Sequence, residues 1–506
     1  MLGIFKRNDT QQTATKPRPK RHPLARAAKR LFDAGSSDRL TESWTTMPLA
    51  ADDIIRRNQR VLVARSREQA ANNDYARNFL RMCRQNIVGP RGVVLQAQAK
   101  DPSGQIDQPA NDAIEKAFAT WGKRDNADVT GQLSWRSIQN QCVNSAAKDG
   151  EFMVRKIFGP DSGPWGFSMQ LLDPQRCPVD LDQDRLPGGQ FIRHGIEFTR
   201  YGRPVAYYFS STSPSAGAYQ FHGRNFERVP ADEIIHGFSP DIIGQKRGLP
   251  WMSTALWRLN MLGGFEKAAL VNARAGANKM GFFTWDEGYG PEADEDEEVF
   301  VDGEPGTWQE LPAGVRPHEY NPQYPNGEFQ PFHKSMLRGI SSGFGVAYNN
   351  LANDLEGVNF SSIRQGTLDE REHWKDLQEW LIEVLIQPVF DEWLPHSLIR
   401  GRIRVAGKPL KPERIDKYRD VAWQPRRWQW IDPARDVKSA IDSKNAFLQS
   451  PGGIIREQGR DPDTVWREVS RDIESMRRSG IPEEYIHAAL GGQLQPTGVP
   501  DATNND

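Results

Sequence analysis

Cysteine is scarce in this chain. Cys83, Cys142 and Cys177 are the only three in 506 residues, odd in number and widely spaced, which excludes a disulfide framework and a CxxC metal site and points to a reducing compartment. Long apolar runs are lacking: none approaches the roughly eighteen residues of a membrane span, and Met1-Leu2-Gly3-Ile4-Phe5-Lys6 has no apolar signal core, so the chain is expected to stay in the cytosol, without a membrane partner. Excess charge of one sign is lacking too. With 65 Lys and Arg against 66 Asp and Glu the formal net charge is -1, which does not mark a protein that grips nucleic acid through bulk charge. There is no GxxxxGK[ST], no GxGxxG after a strand and no HExxH, which removes the usual motor and zinc-protease signatures. Apolar residues make up 37% of the chain and mean hydropathy is -0.68, polar for this size. An extended subunit with wet interfaces, a water-filled lumen or a long disordered tail would each produce that bias.

What is present is a mixed α+β pattern in several units. Residues 1–31 hold nine Lys or Arg against one Asp, with Pro17, Pro19 and Pro23, and read as a mobile basic arm that is either simply solvated or touches phosphates or an acidic partner. Helical spacing follows over 52–88, ending at Gly89-Pro90, then a strand over 93–98 and helices over 113–121 and 135–147. Residues 165–238 alternate, with strands expected at 168–172, 192–198, 205–209 and 233–238. Met252, Leu256, Leu259, Leu262, Phe265, Ala269 and Ala273 recur every three or four residues, predicting a rod with a candidate kink at Gly263-Gly264. A second rod follows Pro331, with Phe332, Met336, Leu337, Ile340 and Phe344 on one stripe. Between them, Asp286 to Glu304 contains ten acids and no base and should project into water. Residues 349–359 read as an exposed loop. A helix begins near Ser362 and is expected to stop or kink near Pro388. Further helices are expected over 433–448 and 462–478, before a polar tail that is expected to be disordered from Gln493.

Candidate chemistry is thin. Gly339-Ile340-Ser341-Ser342-Gly343 matches GxSxG, which in a hydrolase sets the serine on a strand-to-helix turn; here the preceding residues have helical spacing, so a hydrolase using Ser341 is the lesser alternative. Carboxylates at Asp294 to Glu298 lack calcium-loop spacing, and no metal or other cofactor is expected. His194, His222 and His236 could meet in the β-rich body, but scattered histidines are more often structural. Trp423, Trp428 and Trp430 beside Arg426 and Arg427 could stack on bases; anchoring a core edge is the favoured reading.

The order of motifs carries a resemblance. Asn72-Asn73-Asp74-Tyr75-Ala76-Arg77 leads to Asn86-Ile87-Val88-Gly89, then to Asp149-Gly150-Glu151 and Gly244-Gln245-Lys246-Arg247-Gly248-Leu249-Pro250. Gly343-Phe344-Gly345-Val346-Ala347-Tyr348, Asn359-Phe360-Ser361-Ser362-Ile363-Arg364 and Trp428-Gln429-Trp430-Ile431-Asp432-Pro433 complete the series. In this order they resemble the lambda-type portal proteins of tailed bacteriophages from about Asp52 to Arg478, with Ala347 and Phe360 where the family more often has Pro and Tyr.

The resemblance implies a structural protein, not an enzyme. Its expected form is a dodecameric ring at one capsid vertex of the virion, assembled in the bacterial cytoplasm, through which double-stranded DNA is packaged and ejected. The implied partners are the terminase large subunit, head-completion or adaptor proteins, and the major capsid and scaffolding proteins. Another virion adaptor is the further alternative. The implied divisions are a basic arm (1–35), an α/β wing (36–250), stem helix 1 (251–281), a small β-containing clip (282–328), stem helix 2 (329–348) and a tunnel loop (349–362). A wing helix and return segment (363–432), a helical crown (433–490) and a tail (491–506) follow. Asp294, Glu295, Asp296, Glu297 and Glu298 are the expected clip docking residues. A sliding channel should carry a sparse, mixed lining, because each phosphate neutralised adds affinity and ring symmetry multiplies each choice. Lys334, Arg338, Asn350, Asn353 and Asn359 are the candidate DNA-channel residues.

Overall fold

Ile55, Gln59, Val63 and Ser66 recur at helical spacing and form the buried stripe of α1 (Ala51–Asn72). Asn73 then leaves helical geometry, and its side chain accepts from the amides of Tyr75 and Ala76, starting α2 (Asp74–Cys83). This is an N-cap, which satisfies amides that have no partner within the helix. α2 runs on through a wider turn, Arg84–Val88, and stops at Gly89, whose φ is 74°. The computed structural model describes residue 39 and residues 42–210, 226–277, 281–285, 315–319, 327, 329–357, 359–428 and 433–489. It divides into two units, Met1–Ala50 and Ala51–Asp506. Residues 39 and 42–50 of the first are exposed turns and coil; the expected basic arm, residues 1–35, lies outside the described residues.

In the second unit β1 (Val94–Ala97) precedes α3 (Gln108–Trp121) and α4 (Trp135–Asp149). α3 starts earlier than its apolar spacing predicts because Asp107 caps it and a proline is tolerated in its first turn. β2 (Glu151–Phe158) pairs with β3 (Phe167–Leu172). A four-stranded antiparallel meander follows: β4 (Phe191–Arg193), β5 (Ile196–Phe198), β6 (Pro204–Ser210) and β7 (Phe226–Pro230). β8 (Ile234–Phe238) returns to the other edge of β2. The single strand expected over 192–198 is therefore a hairpin. His194 (φ 53°) and Gly195 (φ 78°) make its two-residue turn, where both positions need positive φ.

α5 (Leu256–Ala277) continues through Gly263-Gly264 as helix and leads to β9 (Gly281–Trp285), which pairs antiparallel with β10 (Val315–Glu319). α6 (Phe329–Phe344), the short α7 (Tyr348–Ala352) and α8 (Phe360–Leu381) come next. The stop or kink expected near Pro388 is not a stop: a π-type turn, Ile382–Ile386, lets the chain run on helically into α9 (Gln387–Ile399). The wider turn falls just before the proline, where the ring would otherwise crowd the preceding turn. β11 (Arg404–Val405), β12 (Lys408–Pro409) and α10 (Ile415–Tyr418) lead to β13 (Val421–Gln424), which pairs with β1. α11 (Pro433–Asn445), α12 (Pro451–Glu457), α13 (Pro462–Arg478) and α14 (Glu483–Ala489) end the described chain; spacing revealed α11 and α13 but not α12 or α14.

The main core is aromatic. Trp393 of α9 is fully buried and meets the Phe118 ring edge-on at 4.9 Å, with Trp121, Trp135 and Phe390 around it. A smaller core, including Met153, Ile196, Phe198, Tyr207 and Phe209, joins the meander to the three-stranded sheet.

Candidate channel-forming segment

α5 and α6 are antiparallel, since their contacts descend along one as they ascend along the other. Thr254 Oγ1 donates to the Gly343 carbonyl at 3.2 Å, Phe265 stacks on Phe329 at 5.4 Å, and Glu266 holds His333 at 2.6 Å. The approach needs small residues. A Cβ added at Gly343 would lie 3.0 Å from Thr254 Oγ1 and 3.2 Å from Ala255 Cβ. This explains half of the GxSxG match: Gly343 serves helix packing, whereas a Cβ at Gly339 would meet the Arg258 guanidinium only at 3.5 Å. Ser341 is buried inside α6 and its hydroxyl donates to the Leu337 carbonyl at 2.8 Å, so it is not presented as a nucleophile.

α1 lies against the start of α5, and other parts of α5 are uncovered. Trp257 and Leu270 are each 71% exposed, and Met261 and Val271 are exposed with them.

The exposed loop expected over 349–359 is borne out only in part: residues 349–352 belong to α7, whereas Asn353, Leu355, Glu356, Gly357 and Asn359 are exposed. Gly345 turns the chain at φ 69°, Leu351 of α7 is buried, and Asn353 closes α7 in the left-handed region at φ 52°. Asp354 accepts from the Tyr348 hydroxyl at 2.7 Å, and Lys334 reaches back from α6 to Asp354 at 3.3 Å and Glu356 at 2.7 Å. The Tyr348 hydroxyl, with the Glu356 amide and Lys334, holds the Asp354 carboxyl down at about 2. Burial, with Asp354, pushes the Tyr348 phenol up to about 12. The bond to Glu356 raises Lys334.

The candidate channel residues therefore have other partners as well. Lys334 is matched by two carboxylates, and Arg338 lies 5.6 Å over the Tyr348 ring. Asn350 donates to Glu370, while its carbonyl accepts from Asn78 at 3.1 Å. Asn359 caps α8 by accepting from the Ser362 amide at 2.8 Å. Lys334, Arg338, Asn350 and Asn353 gather around α7, with Asn359 at the start of α8. Sequence spacing missed Asp354 and Glu356 as partners of Lys334; their only signal was two acids in an otherwise polar loop. Asp294, Glu295, Asp296, Glu297 and Glu298 lie outside the described residues.

The remaining motifs converge on buried polar joints. Glu151, fully buried, takes Arg247 Nη2 at 2.6 Å, His236 Nε2 at 2.9 Å and the Gly248 amide at 3.0 Å. Burial opposes its charge, but Arg247 and His236 outweigh burial and hold its carboxyl at about 2. Gly150 and Gly248 touch backbone to backbone: a Cβ on Gly248 would lie 2.0 Å from the Gly150 carbonyl oxygen. Arg67, which spacing did not single out, joins Asp149 at 2.8 Å to Asp173 at 2.7 Å. His194 and His236 approach the same joint differently, since His194 offers its carbonyl to Arg247 at 2.8 Å; His222 lies outside the described residues. Trp423 and Trp428 act as anchors: Trp423 bonds Gln387 at 2.7 Å and Trp428 bonds Asn86 at 3.0 Å. Trp430 lies outside the described residues. Among the described residues no group of His, Cys, Asp or Glu is placed to hold a metal, and no helix is long and apolar enough to cross a membrane.

The antiparallel helix pair thus adjoins an α+β body, and the serine of its GxSxG stretch is sealed in a helix. The sequence model for phage portal proteins of the lambda family matches residues 37–378. The chain is 34% identical to the probable portal protein of Halomonas phage phiHAP-1, over 94% of this chain and 92% of that one. It is 20% identical to portal protein B of Escherichia phage lambda, over 90% of this chain and 91% of that one. Among solved structures it is similar to a chain in the neck of an empty gene transfer agent particle, with TM-score 0.42 and 15% identity over 83% of this chain and 98% of that one. The chain belongs to the lambda family of phage portal proteins, and it is a structural protein rather than an enzyme.

Proposed function

We propose that twelve copies of this chain form a ring at one capsid vertex, the channel through which duplex DNA is packaged and later ejected. The observation that carries this reading is α5. It packs on α6 and, near its start, against α1, yet Trp257, Met261, Leu270 and Val271 remain exposed. Several large apolar side chains left exposed along one helix call for cover, and neighbouring copies about an axis supply it.

In this reading the α5–α6 pair is the stem and residues 349–362 border the lumen. Lys334, Arg338, Asn350, Asn353 and Asn359 are the proposed lining. Lys334 brings Asp354 and Glu356 with it, so twelvefold repetition adds no strong positive belt, which suits DNA that slides instead of binding. Asp294 to Glu298 lie between the stem helices in sequence and are proposed to guide basic surfaces of the terminase large subunit and then of head-completion proteins. Capsid and scaffolding proteins would surround the ring, which would assemble in the host cytoplasm.

Electron microscopy of the purified chain tests the proposal. The expected result is a closed ring with a central opening wide enough for duplex DNA; a population of monomers alone would overturn it. The lining is tested separately by Lys334→Glu with Arg338→Glu, which should impair packaging or DNA retention.

A further inference from the structure

Arg81, Arg84, Arg136 and Arg426 line one cleft of about 780 Å³, and no Asp or Glu lines it. Elsewhere in this fold arginines are matched by carboxylates, as in Arg67 with Asp149, Arg155 with Glu233 and Arg228 with Glu197. Arg81, Arg84 and Arg136 are exposed and Arg426 is half-buried; Arg81, Arg136 and Arg426 donate to neutral oxygens of Asn78, Pro90 and Asn86, and among the described residues none of the four has a carboxylate within ion-pair distance. A helix C-terminus accounts for Arg81 and Arg84, which lie near the end of α2. It does not account for Arg136, which is in the first turn of α4, where the helix dipole disfavours a cation. Arg426 is also badly placed for a lone cation, since burial and the nearby Arg371 guanidinium both push it down from its ordinary value. The cleft is a basic surface for which the single chain supplies no counter-charge among the described residues.

The chain also carries the complement. Asp369, Glu372, Asp376, Glu379 and Glu383 are all exposed and follow α8 and its π-type turn at three- and four-residue steps. Like charges so spaced destabilise a helix surface. Lys375 answers Glu372 at 2.6 Å, but among the described residues Asp376, Glu379 and Glu383 have no cation within ion-pair distance. The opposite side of α8 faces the arginine cleft's own wall. Gln378 donates to the carbonyls of Asn86 and Arg426 at 2.7 and 3.0 Å, and Trp374 is buried one turn earlier. At about 100° per residue, Glu372 and Asp376 point roughly 160° away from Trp374. Cleft and acidic ridge thus lie on opposite sides of one helix, as a head-to-tail contact that repeats about an axis requires.

We propose that the arginine cleft receives the acidic α8 ridge of a neighbouring copy of this chain, forming a heterologous contact of the ring. The inference rests on the ring reading above and names which surfaces meet.

The test uses the full chain and two variants, Arg84→Glu with Arg136→Glu, and Asp376→Arg with Glu379→Arg. All four positions are exposed, and circular dichroism checks that each variant folds. Mass photometry should show that neither variant closes rings at ten times the concentration at which the native chain does. A one-to-one mixture should restore rings in which the two variants alternate, because each altered surface then meets its complement. Rings that persist in both separate variants, or folded variants whose mixture stays unassembled, would overturn the contact while leaving the ring reading intact. If the arginine variant still closes rings but loses duplex DNA binding, the cleft is a nucleic-acid site and the proposal is wrong. If the native chain forms no ring, the ring reading fails and this contact fails with it.

Discussion

Glu151 is the residue on which the upper sheet, the loop before α5 and α1 all depend, since Arg247, His236 and Gln59 converge on its carboxylate. Glu151→Gln leaves Arg247 buried without its counter-charge, which should cost about 3–5 kcal/mol, read by denaturant unfolding. The same carboxyl sets an acid limit. Its pKa falls from 4.5 to about 2 on folding, so its contribution is complete above 4.5 and is lost as pH drops through about 2. Thermal unfolding of the native chain should therefore weaken across that window, and Glu151→Gln should flatten the response. Gly150→Ala or Gly248→Ala forces a Cβ into opposing backbone and should destabilise by roughly 3 kcal/mol or more. The sequence made both motifs visible as motifs. Their meeting was not legible, because an ion pair between positions 151 and 247 leaves no local periodicity.

Among the elements, the two rods were the most legible. Apolar residues at three- and four-residue steps report a helix directly, and proline and glycine mark its ends. The packing between them was less so: Gly339 and Gly343 looked like a hydrolase signature until the facing Thr254 and Ala255 were seen. Gly343→Val should push α6 from α5 and cost about 1–3 kcal/mol, measured as a lower unfolding midpoint with Ser341→Ala as a milder control. The segment after α6 was legible only in part, for an electrostatic reason: a polar loop and a loop pinned by its own acids have the same composition. Near Pro388 the sequence marked a stop or a kink; there is no stop, and the irregularity is the wider turn at Ile382–Ile386 just before the proline.

For the whole molecule, composition gave only a polar bias; in the ring proposed above, the exposed apolar residues of α5 would serve an interface instead of a larger core. Trp257→Glu with Leu270→Glu should leave the chain folded by circular dichroism but shift it from ring to monomer in mass photometry. The proposed ring rests on the family resemblance, since contacts between copies leave no periodic trace in one sequence.

The helical path from Asn359 through the π-type turn to Ile399 has a mechanical consequence. Trp393 clamps one end in the aromatic core, whereas the other carries the asparagine cap beside the segment that Lys334 grips. From Trp393 to Asn359 the backbone path is roughly 50 Å, and it is held on the way by buried Trp374, by Gln378 on the Asn86 and Arg426 carbonyls and by Arg364 on Asp436. It is thus a strut braced at several points, which carries strain from the aromatic core to the segment at its far end instead of letting that segment swing alone.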